Sequence, residues 1–480
     1  MLKPRFGKCY INGEFVKAAQ TRDVTNPYTG KKIGLAPIAD DALLEKAIIA
    51  ASDAFRPFAD LSRFDRSEIL HRIYELLGKH HEDFARIISA EGGKPIKFAR
   101  GEVDRARVTC RWAAEEAVRF GGEWLPLDIH PGAKRFTSLV GRVPLGPTLA
   151  ISPFNFPLNL VMHKVAPALA VGCTVVLKPS SDTPFTSLML AEIFDKAGCP
   201  PGVFNVVPCS GPSFEKLVTD DRPAMLSFTG SPAVGWHLKS IAGRKRVALE
   251  LGGNAAAVVH EDADLKFAAG RIAFGAFAHA GQVCISVQRV LVHEPVYEKF
   301  IKLLVRETKK IEYGDPSDEN VMVGPMISDT EADRVEEWIA EAVGHGSKVL
   351  VNGKRNGPVL SPVLLGGCRK SDRVWSREVF GPVAVVMPYK KWDGRNGALE
   401  LVNDSAYGLQ AGIFTKDIDR IMLAYKTLEV GAVVVNDVPT VRVDNYPYGG
   451  TKESGQGREG VRCTMHEMSE ERTLVLRLGL

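Results

Sequence analysis

The chain has 480 residues, too many for one ordinary domain, and its net charge of +4 is small for that length. With 45% hydrophobic and 25% charged residues, it has the composition of a globular protein and gives no reason to expect a nucleic-acid or membrane partner. Its eight cysteines form no CxxC pair and its N-terminus lacks the apolar core of a signal peptide, so we expect a cytoplasmic protein of two or three domains without a bound metal.

The first 120 residues read as a hairpin followed by helices. Apolar residues flank an Asn–Gly turn at 10–16, a pattern that predicts a β-hairpin. Helical periodicity follows at residues 41–55, 66–90 and 101–120.

Short apolar strands then alternate with helices, twice. The first set has strands at 149–152, 174–177, 203–207, 225–228 and 247–251, with helices at 159–171 and 183–197. The second set starts after residue 252, with elements at 255–259, 265–277, 290–292, 296–309, 383–388, 394–403, 412–414 and 432–436. This alternation predicts two parallel sheets covered by helices, packed closely with a ligand cleft between them. An apolar strand at 472–478 needs a partner edge, in its own chain or in another subunit.

Two glycine-flanked motifs carry reactive side chains. Glu250 lies in Leu-Glu-Leu-Gly-Gly-Asn, and Cys284 ends Ala-Gly-Gln-Val-Cys. A thiol is a soft nucleophile for a carbonyl carbon, and a carboxylate can direct water onto the resulting thioester. A lone cysteine is more often a small buried hydrophobe, but the pair in these contexts predicts covalent catalysis.

Three further motifs follow predicted strands. Asn155, in Pro-Phe-Asn-Phe-Pro, can donate to an oxyanion together with the nucleophile's backbone N–H, or it can simply form a turn. Lys178 is placed to bind a ribose or phosphate, unless it is a solvated loop lysine. Ser231, a candidate N-cap before Pro232, opens a helix suited to a pyrophosphate. Glu378 could hold a ribose hydroxyl or be a surface charge.

Taken together, these motifs resemble the aldehyde dehydrogenase superfamily over almost the whole chain. The resemblance implies that Cys284 is the nucleophile, Asn155 the oxyanion donor and Glu250 the base for deacylation. Lys164 and Glu459 match further acid–base and relay positions. The implied cofactor contacts are Ile151, Ser152, Pro153, Phe154, Lys178, Ser180, Ser181, Phe228, Thr229, Gly230, Ser231, Val234, Leu251, Gly252, Glu378 and Phe380.

The fold implied by this resemblance is α/β and has three parts. A Rossmann-like cofactor domain would comprise residues 1–121 and 138–251, and an α/β catalytic domain residues 252–440. A β-flap with the C-terminal segment, residues 122–137 and 441–480, would mediate a homodimer or homotetramer and so give the terminal strand a partner.

The resemblance also bears on cofactor choice. Family members that prefer NAD usually carry Glu three positions after the lysine that matches Lys178, where this chain has Ser181. A carboxylate there would repel a 2′-phosphate, whereas serine can donate to it. The expected cofactor is therefore NADP, with NAD as the alternative.

Residues 436–448 resemble the branch that oxidises small polar or anionic aldehydes, such as lactaldehyde, glyceraldehyde 3-phosphate, phosphonoacetaldehyde and succinic semialdehyde. Arg442 could pair with an anionic group of the substrate, or be a structural charge. His163 and Arg105 or Arg107 are further candidates with the same alternative reading. Val283 and Ile285 flank the nucleophile, and Val283 stands where enzymes for anionic substrates often carry Arg, which favours a short, lightly charged aldehyde.

Two competing functions remain at this point. A CoA-dependent acylating dehydrogenase generally lacks the glutamate that matches Glu250, so its presence favours hydrolysis to the free acid. A non-catalytic binding or structural protein on the same fold would not need Cys284, Glu250 and Asn155 together.

Overall fold

The computed structural model describes residues 2–479. The N-terminal part contains β1 (Lys8–Ile11), β2 (Glu14–Lys17), β3 (Gln20–Thr25), β4 (Lys32–Ile38), α1 (Asp41–Ala59), α2 (Arg63–Lys79), α3 (His81–Gly92), α4 (Ile96–Arg119), β5 (Glu123–Pro126) and β6 (Phe136–Pro144). The first α/β unit contains β7 (Thr148–Ile151), α5 (Asn159–Val171), β8 (Val175–Lys178), α6 (Pro184–Lys196), β9 (Phe204–Val206), α7 (Gly211–Thr219), β10 (Met225–Thr229), α8 (Pro232–Ile241) and β11 (Arg246–Glu250).

The second α/β unit and the C-terminal segment complete the fold. The second unit contains β12 (Ala255–Val259), α9 (Leu265–Phe277), β13 (Val287–His293), α10 (Tyr297–Thr308), α11 (Asp329–Gly344), β14 (Lys348–Val351), β15 (Arg355–Asn356), β16 (Val359–Leu360), β17 (Val363–Gly366), α12 (Arg373–Ser376), β18 (Val383–Tyr389), α13 (Ala398–Asn403), β19 (Tyr407–Gly408), β20 (Gln410–Phe414), α14 (Ile418–Thr427) and β21 (Ala432–Val435). The C-terminal segment contains β22 (Thr451–Lys452), β23 (Gly455–Gln456), α15 (Val461–Glu467) and β24 (Ser469–Arg477). Among the described residues, no helix is both long and apolar enough to span a bilayer.

The first sheet confirms the predicted parallel arrangement. Its strand order is β2-β1-β9-β8-β7-β10-β11-β23, with β9, β8, β7, β10 and β11 parallel and antiparallel strands at both edges. The chain runs outward from β7 through β8 to β9 and then returns to place β10 on the other side of β7. Ligands bind where the strand order reverses in this way, beyond the carboxyl ends of the strands. That point lies between the ends of β7 and β10.

The second sheet has the order β14-β17-β18-β13-β12-β20-β21, and all its strands except β14 are parallel. The connection after β11 leads directly into β12, and it touches the loops that precede β13 and β18. The end of β11 in the first sheet therefore lies close to the start of β12 in the second. The motifs of Glu250 and Cys284 come together in the cleft between the two sheets.

The terminal strand finds its partner within its own chain. All nine residues of β24 pair antiparallel with β6, and β5 completes a three-stranded sheet. The predicted domain boundary at residue 137 falls inside β6, which continues to Pro144 and pairs along its whole length with β24.

Helix boundaries also differ from the sequence expectation. The single helix predicted at 66–90 is two helices, which meet at His80, whose backbone (φ −108°, ψ 21°) is not helical. The helix predicted at 101–120 starts earlier, at Ile96, directly after Pro95. The β3–β4 pair and helices α7, α11 and α14 had no counterpart in the sequence prediction.

Candidate active site

A cavity of about 310 Å³ lies between the two α/β units. Its lining includes predicted site residues from several distant parts of the sequence: Arg105, Thr229, Glu250, Leu251, Val283, Cys284, Ile285, Arg442 and Glu459. Lys94, Lys97, Phe156, Asn159, His279, Thr440 and Tyr448 are among the other lining residues. The wall thus combines a thiol, acidic and basic side chains and aromatic rings.

Close backbone packing positions Cys284. A Cβ on Gly253 would lie 2.3 Å from the Cys284 carbonyl oxygen, so the Gly-Gly segment after Glu250 admits the nucleophile loop only because it has no side chain there. The Cys284 thiol is half-buried, and its Sγ lies 3.1 Å from the Tyr448 hydroxyl. Burial raises the pKa of the Cys284 thiol to about 11, and the Tyr448 hydrogen bond opposes that rise.

Asn155 lies beside this loop without lining the cavity itself. Its Nδ2 donates to the Gln282 carbonyl oxygen at 2.9 Å, which uses one of its two amide hydrogens, and its Oδ1 has no partner among the described residues. The remaining amide hydrogen is free to donate to an oxyanion formed on a carbon attached to Cys284.

Glu250 and Glu459 have opposite electrostatic environments. Burial, together with the neighbouring charge of Glu459, raises the pKa of Glu250 well above its ordinary value. Its Oε2 has no protein partner among the described residues. Burial would likewise raise the pKa of Glu459, but Lys164 and Arg442 hold it at about 2. Two carboxyl groups whose pKa values are shifted in opposite directions can take different acid–base roles.

Ion pairs at the cavity wall join several predicted site residues. Glu459 Oε1 accepts from Lys164 Nζ at 3.0 Å, and Glu459 Oε2 accepts from Arg442 Nη2 at 3.0 Å. Lys164 is buried and does not line the cavity. Glu459 is therefore held by partners that lie far from it in the sequence.

A second cluster of charges surrounds Asp444. Its carboxylate accepts from Arg105 at 2.6 and 3.0 Å, and its Oδ1 lies 2.9 Å from His163 Nε2. His163 is fully buried and does not line the cavity, a position that favours the alternative reading of a structural side chain. Burial and the Arg442 charge lower the pKa of His163, while the Asp444 carboxyl pKa is held below its ordinary value by His163 and Arg105 despite burial.

The predicted cofactor residues gather where β7 and β10 end. Ile151 ends β7, Ser152, Pro153 and Phe154 follow it, and Phe228 and Thr229 end β10. Ser152 Oγ and Thr229 Oγ1 are buried without partners among the described residues. Ser231 is the N-cap of α8, but its side chain makes no capping hydrogen bond, so the first N–H groups of α8 are open to an anion.

The remaining cofactor candidates extend this surface. Lys178 Nζ has only a 3.5 Å contact with the next carbonyl, and burial lowers its pKa. Ser180 and Ser181 follow it, and Val234 is exposed on α8. Glu378 Oε1 accepts from Gly253 N at 2.9 Å, and burial raises the pKa of Glu378 to about 7.

Two of the predicted cofactor residues, Phe154 and Phe380, are aromatic rings in contact with each other. Phe154 and Phe380 meet edge to face at 5.8 Å and line a second cavity, of about 270 Å³. A Cβ on Gly252 would lie 2.2 Å from Glu378 Oε2, so this wall also depends on a bare backbone. The unpartnered hydroxyls of Ser152 and Thr229, the uncapped N-terminus of α8 and the glycine at position 252 fit the binding of a dinucleotide.

Several lining residues were not found from the sequence. Tyr448 touches the reactive thiol, and the Lys94 ammonium lies 3.6 Å from the centre of the Phe156 ring. His279 is buried with neither ring nitrogen partnered among the described residues, on a backbone with φ 53°. No local sequence motif distinguishes these side chains from core residues. Once the fold is known, the positive φ of His279, next to the loop that carries Cys284, is the feature that indicates a functional position.

Comparison with known proteins agrees with this geometry. The aldehyde dehydrogenase family model matches residues 15–474, and the chain belongs to that family. It is 44% identical over 470 residues to a 3-sulfolactaldehyde dehydrogenase of Priestia aryabhattai, covering 98% of each chain. The family uses NAD(P), so the protein is an NAD(P)-dependent oxidoreductase that acts on small aldehydes.

Two solved structures show the same architecture. Aldehyde dehydrogenase 21 from Physcomitrella patens, in complex with the reaction product succinate, superposes with a TM-score of 0.96 at 40% identity, covering 99% of this chain and 98% of the other. The NADP-dependent glyceraldehyde-3-phosphate dehydrogenase of Bacillus halodurans, complexed with NADP, gives 0.96 at 36% identity, covering 99% and 100%. Both confirm the predicted fold.

Proposed function

We propose that the enzyme oxidises a short polar or anionic aldehyde to its free carboxylic acid through a thioester on Cys284. The observation that carries this proposal is the single cavity holding Cys284 and Glu250 together with four basic side chains: Lys94, Lys97, Arg105 and Arg442. A thiol supplies the nucleophile, a buried carboxylate the base, and the basic wall a reason for the substrate to be polar or anionic.

The reacting groups follow in order. The Cys284 thiolate attacks the aldehyde carbon, and the Asn155 amide with the Cys284 backbone N–H stabilises the oxyanion. Bound NAD(P) supplies the hydride acceptor in this chemistry. Glu250, whose raised pKa suits a base, takes a proton from water as that water attacks the thioester, and the acid leaves.

The four basic side chains of the wall outnumber its three acidic ones, Glu102, Glu250 and Glu459, and support a substrate with an anionic end. Arg442 is only 6% exposed and already engages Glu459, whereas the Arg105 side chain is 31% exposed. Arg105 is therefore the better placed of the two to meet an anionic group, although its guanidinium is shared with Asp444. The relatives named for 3-sulfolactaldehyde, for glyceraldehyde 3-phosphate and for a succinate complex all concern short molecules with an anionic end.

The test is the rate of reduced-nicotinamide formation by the purified enzyme without CoA. The panel contains 3-sulfolactaldehyde, glyceraldehyde 3-phosphate, succinic semialdehyde, lactaldehyde and propanal, each with NADP and with NAD. We expect steady turnover, with kcat/KM higher for the anionic aldehydes than for propanal.

The matched variant is Glu250→Gln. We expect one burst of reduced nicotinamide followed by a stall, because acylation needs Cys284 whereas hydrolysis needs the base. A wild-type enzyme that turns over only when CoA is added would overturn the proposal and favour the acylating alternative.

We also propose NADP as the preferred cofactor and a homodimer or homotetramer as the assembly. The absence of a carboxylate at Ser181 supports the first proposal. Exposed apolar side chains on the β5–β6–β24 flap, among them Trp124 at 69% exposure, support the second. The eight cysteines, all unbridged, suit the reducing cytoplasm expected from the sequence.

A further inference from the structure

Tyr448 is in direct contact with the reactive thiol. Its hydroxyl lies 3.1 Å from Cys284 Sγ and has no other hydrogen-bond partner within residues 2–479. The ring is only 3% exposed and packs in a small apolar cluster with Val283, Ile285 and Leu409. The hydroxyl is therefore held at the sulfur by the packing of its ring, not by a second polar contact.

A fixed cation covers the same ring. The Arg442 guanidinium lies 3.7 Å from the centre of the Tyr448 ring, and Arg442 is anchored by Glu459, which in turn binds Lys164. A cation over an aromatic face is attracted to it and draws electron density from the phenol. That polarisation makes the Tyr448 O–H a stronger donor.

The electrostatics of the pair fix the direction of the hydrogen bond. Burial raises the pKa of Cys284 to about 11, and the Tyr448 hydrogen bond is the largest influence that lowers it. Burial and the neighbouring Cys284 raise the pKa of Tyr448 well above its ordinary value. When one proton leaves this pair, the cysteine loses it and the tyrosine stays a donor.

We propose that Tyr448 is a further catalytic residue, whose hydroxyl donates to Cys284 Sγ and stabilises the thiolate that attacks the aldehyde. The inference rests on the proposed role of Cys284 as the nucleophile. It also gives Arg442 a second task, because Arg442 orients and polarises the phenol in addition to lining the cavity.

Only the thiol of Cys284 loses a proton in this step. The thiol proton leaves to water in the cavity, and Tyr448 keeps its own proton throughout. When the sulfur–carbon bond forms, the carbonyl electron pair moves to the oxygen, and the negative charge that Tyr448 stabilised leaves the sulfur. The hydrogen bond therefore acts before and during attack, not on the oxyanion.

The experiment compares alkylation of Cys284 by iodoacetamide as a function of pH in the full-length wild type and in Tyr448→Phe. The variant removes one oxygen atom and keeps the ring under Arg442. We expect its alkylation rate at neutral pH to fall about tenfold and the midpoint of its pH profile to rise by about one unit. Thiolate absorbance titrated in the same two proteins gives an independent midpoint, with Cys284→Ser as the blank.

Tyr446→Phe is the matched control, because the Tyr446 hydroxyl donates to Gln410 at 2.7 Å and not to the sulfur. We expect its pH profile to match that of the wild type. A Tyr448→Phe profile equal to wild type, or an equal shift in both tyrosine variants, overturns the inference. Alkylation needs neither aldehyde nor cofactor, so a protein that oxidises no aldehyde would defeat the proposed function while this readout still decides the role of Tyr448.

Discussion

At the scale of single residues, Ser181, a predicted cofactor contact, lies among charged side chains. Arg22, from β3, donates to the Ser181 carbonyl oxygen and lies 3.3 Å from Asp182 Oδ1. Lys178 is buried nearby. Arg22 and Lys178 carry two positive charges here and Asp182 one negative charge, a balance that favours binding of a 2′-phosphate. The sequence did not reveal the contribution of Arg22, because Arg22 lies on a strand that is distant in the chain.

We expect Ser181→Glu to lower the ratio of kcat/KM for NADP to that for NAD by about tenfold or more. The new carboxylate repels the 2′-phosphate and can accept from the ribose hydroxyls. Steady-state kinetics with one aldehyde and both cofactors measure the ratio. Ser317→Glu, an exposed serine outside the cleft, is the control, and an unchanged ratio in Ser181→Glu would contradict the charge argument.

A local motif predicts a reactive role for a residue, whereas a contact with a partner far away in the sequence leaves no such signal. Cys284 and Glu250 were found from their flanking glycines. The contacts of Asp444 with His163 and Arg105 join residues 281 and 339 positions apart, and no periodicity reports such a distance. The sequence therefore left His163 open between a substrate contact and a structural role, and the fold buries it behind the wall.

At the scale of elements, Glu459 joins three parts of the fold. It lies between β23 and α15, and its carboxylate binds Lys164 on α5 and Arg442 in the loop after β21. All three side chains are almost fully buried. Removing the charge of Glu459 leaves the buried Lys164 without its counter-ion and leaves Arg442 with only a 3.7 Å ion pair to Asp444.

We expect Glu459→Gln to lower the free energy of unfolding at pH 7 by about 3–5 kcal/mol. Because the folded pKa of Glu459, about 2, is below its ordinary value of 4.5, the stabilisation is full above pH 4.5 and is lost as the pH falls towards 2. The difference from wild type should therefore shrink over that range.

Denaturant unfolding at several pH values measures this difference. Glu471→Gln is the control, because the Glu471 side chain is 67% exposed where it pairs with Arg142 and should contribute at most about 1 kcal/mol. A Glu459→Gln difference that stays constant from pH 7 to pH 3 would contradict the argument.

At the scale of the whole molecule, the β5–β6–β24 flap exposes apolar side chains, several of them on β24. Leu474, Val475 and Leu476 on β24 are 53%, 54% and 38% exposed, and within the described chain β24 pairs only with β6. A long edge strand with exposed apolar side chains favours association. Within its own chain β24 pairs with β6, and contact with a second subunit would bury the apolar side chains of β24 that remain exposed.

We expect Leu474→Glu combined with Leu476→Glu to reduce the mass of the particle in solution, because two charges cannot be buried in an apolar contact. Size-exclusion chromatography with light scattering measures the mass. Val343→Glu, an exposed apolar residue on α11, is the control and should keep the wild-type mass. A monomeric wild type, or a double variant of wild-type mass, would rule out the flap as the contact.

The sequence by itself determined the α/β class and the two sheets, because both depend on the local alternation of strands and helices. It predicted the cofactor turns and the pair Cys284 and Glu250 in the same way, from glycine turns and short motifs. The tertiary structure alone decided which charges meet. It placed Tyr448 against the thiol, committed Arg442 to Glu459, buried His163 behind the wall and extended β6 to match β24. The physical reason is that burial and pairing depend on residues brought together across the chain, whereas periodicity reports only near neighbours.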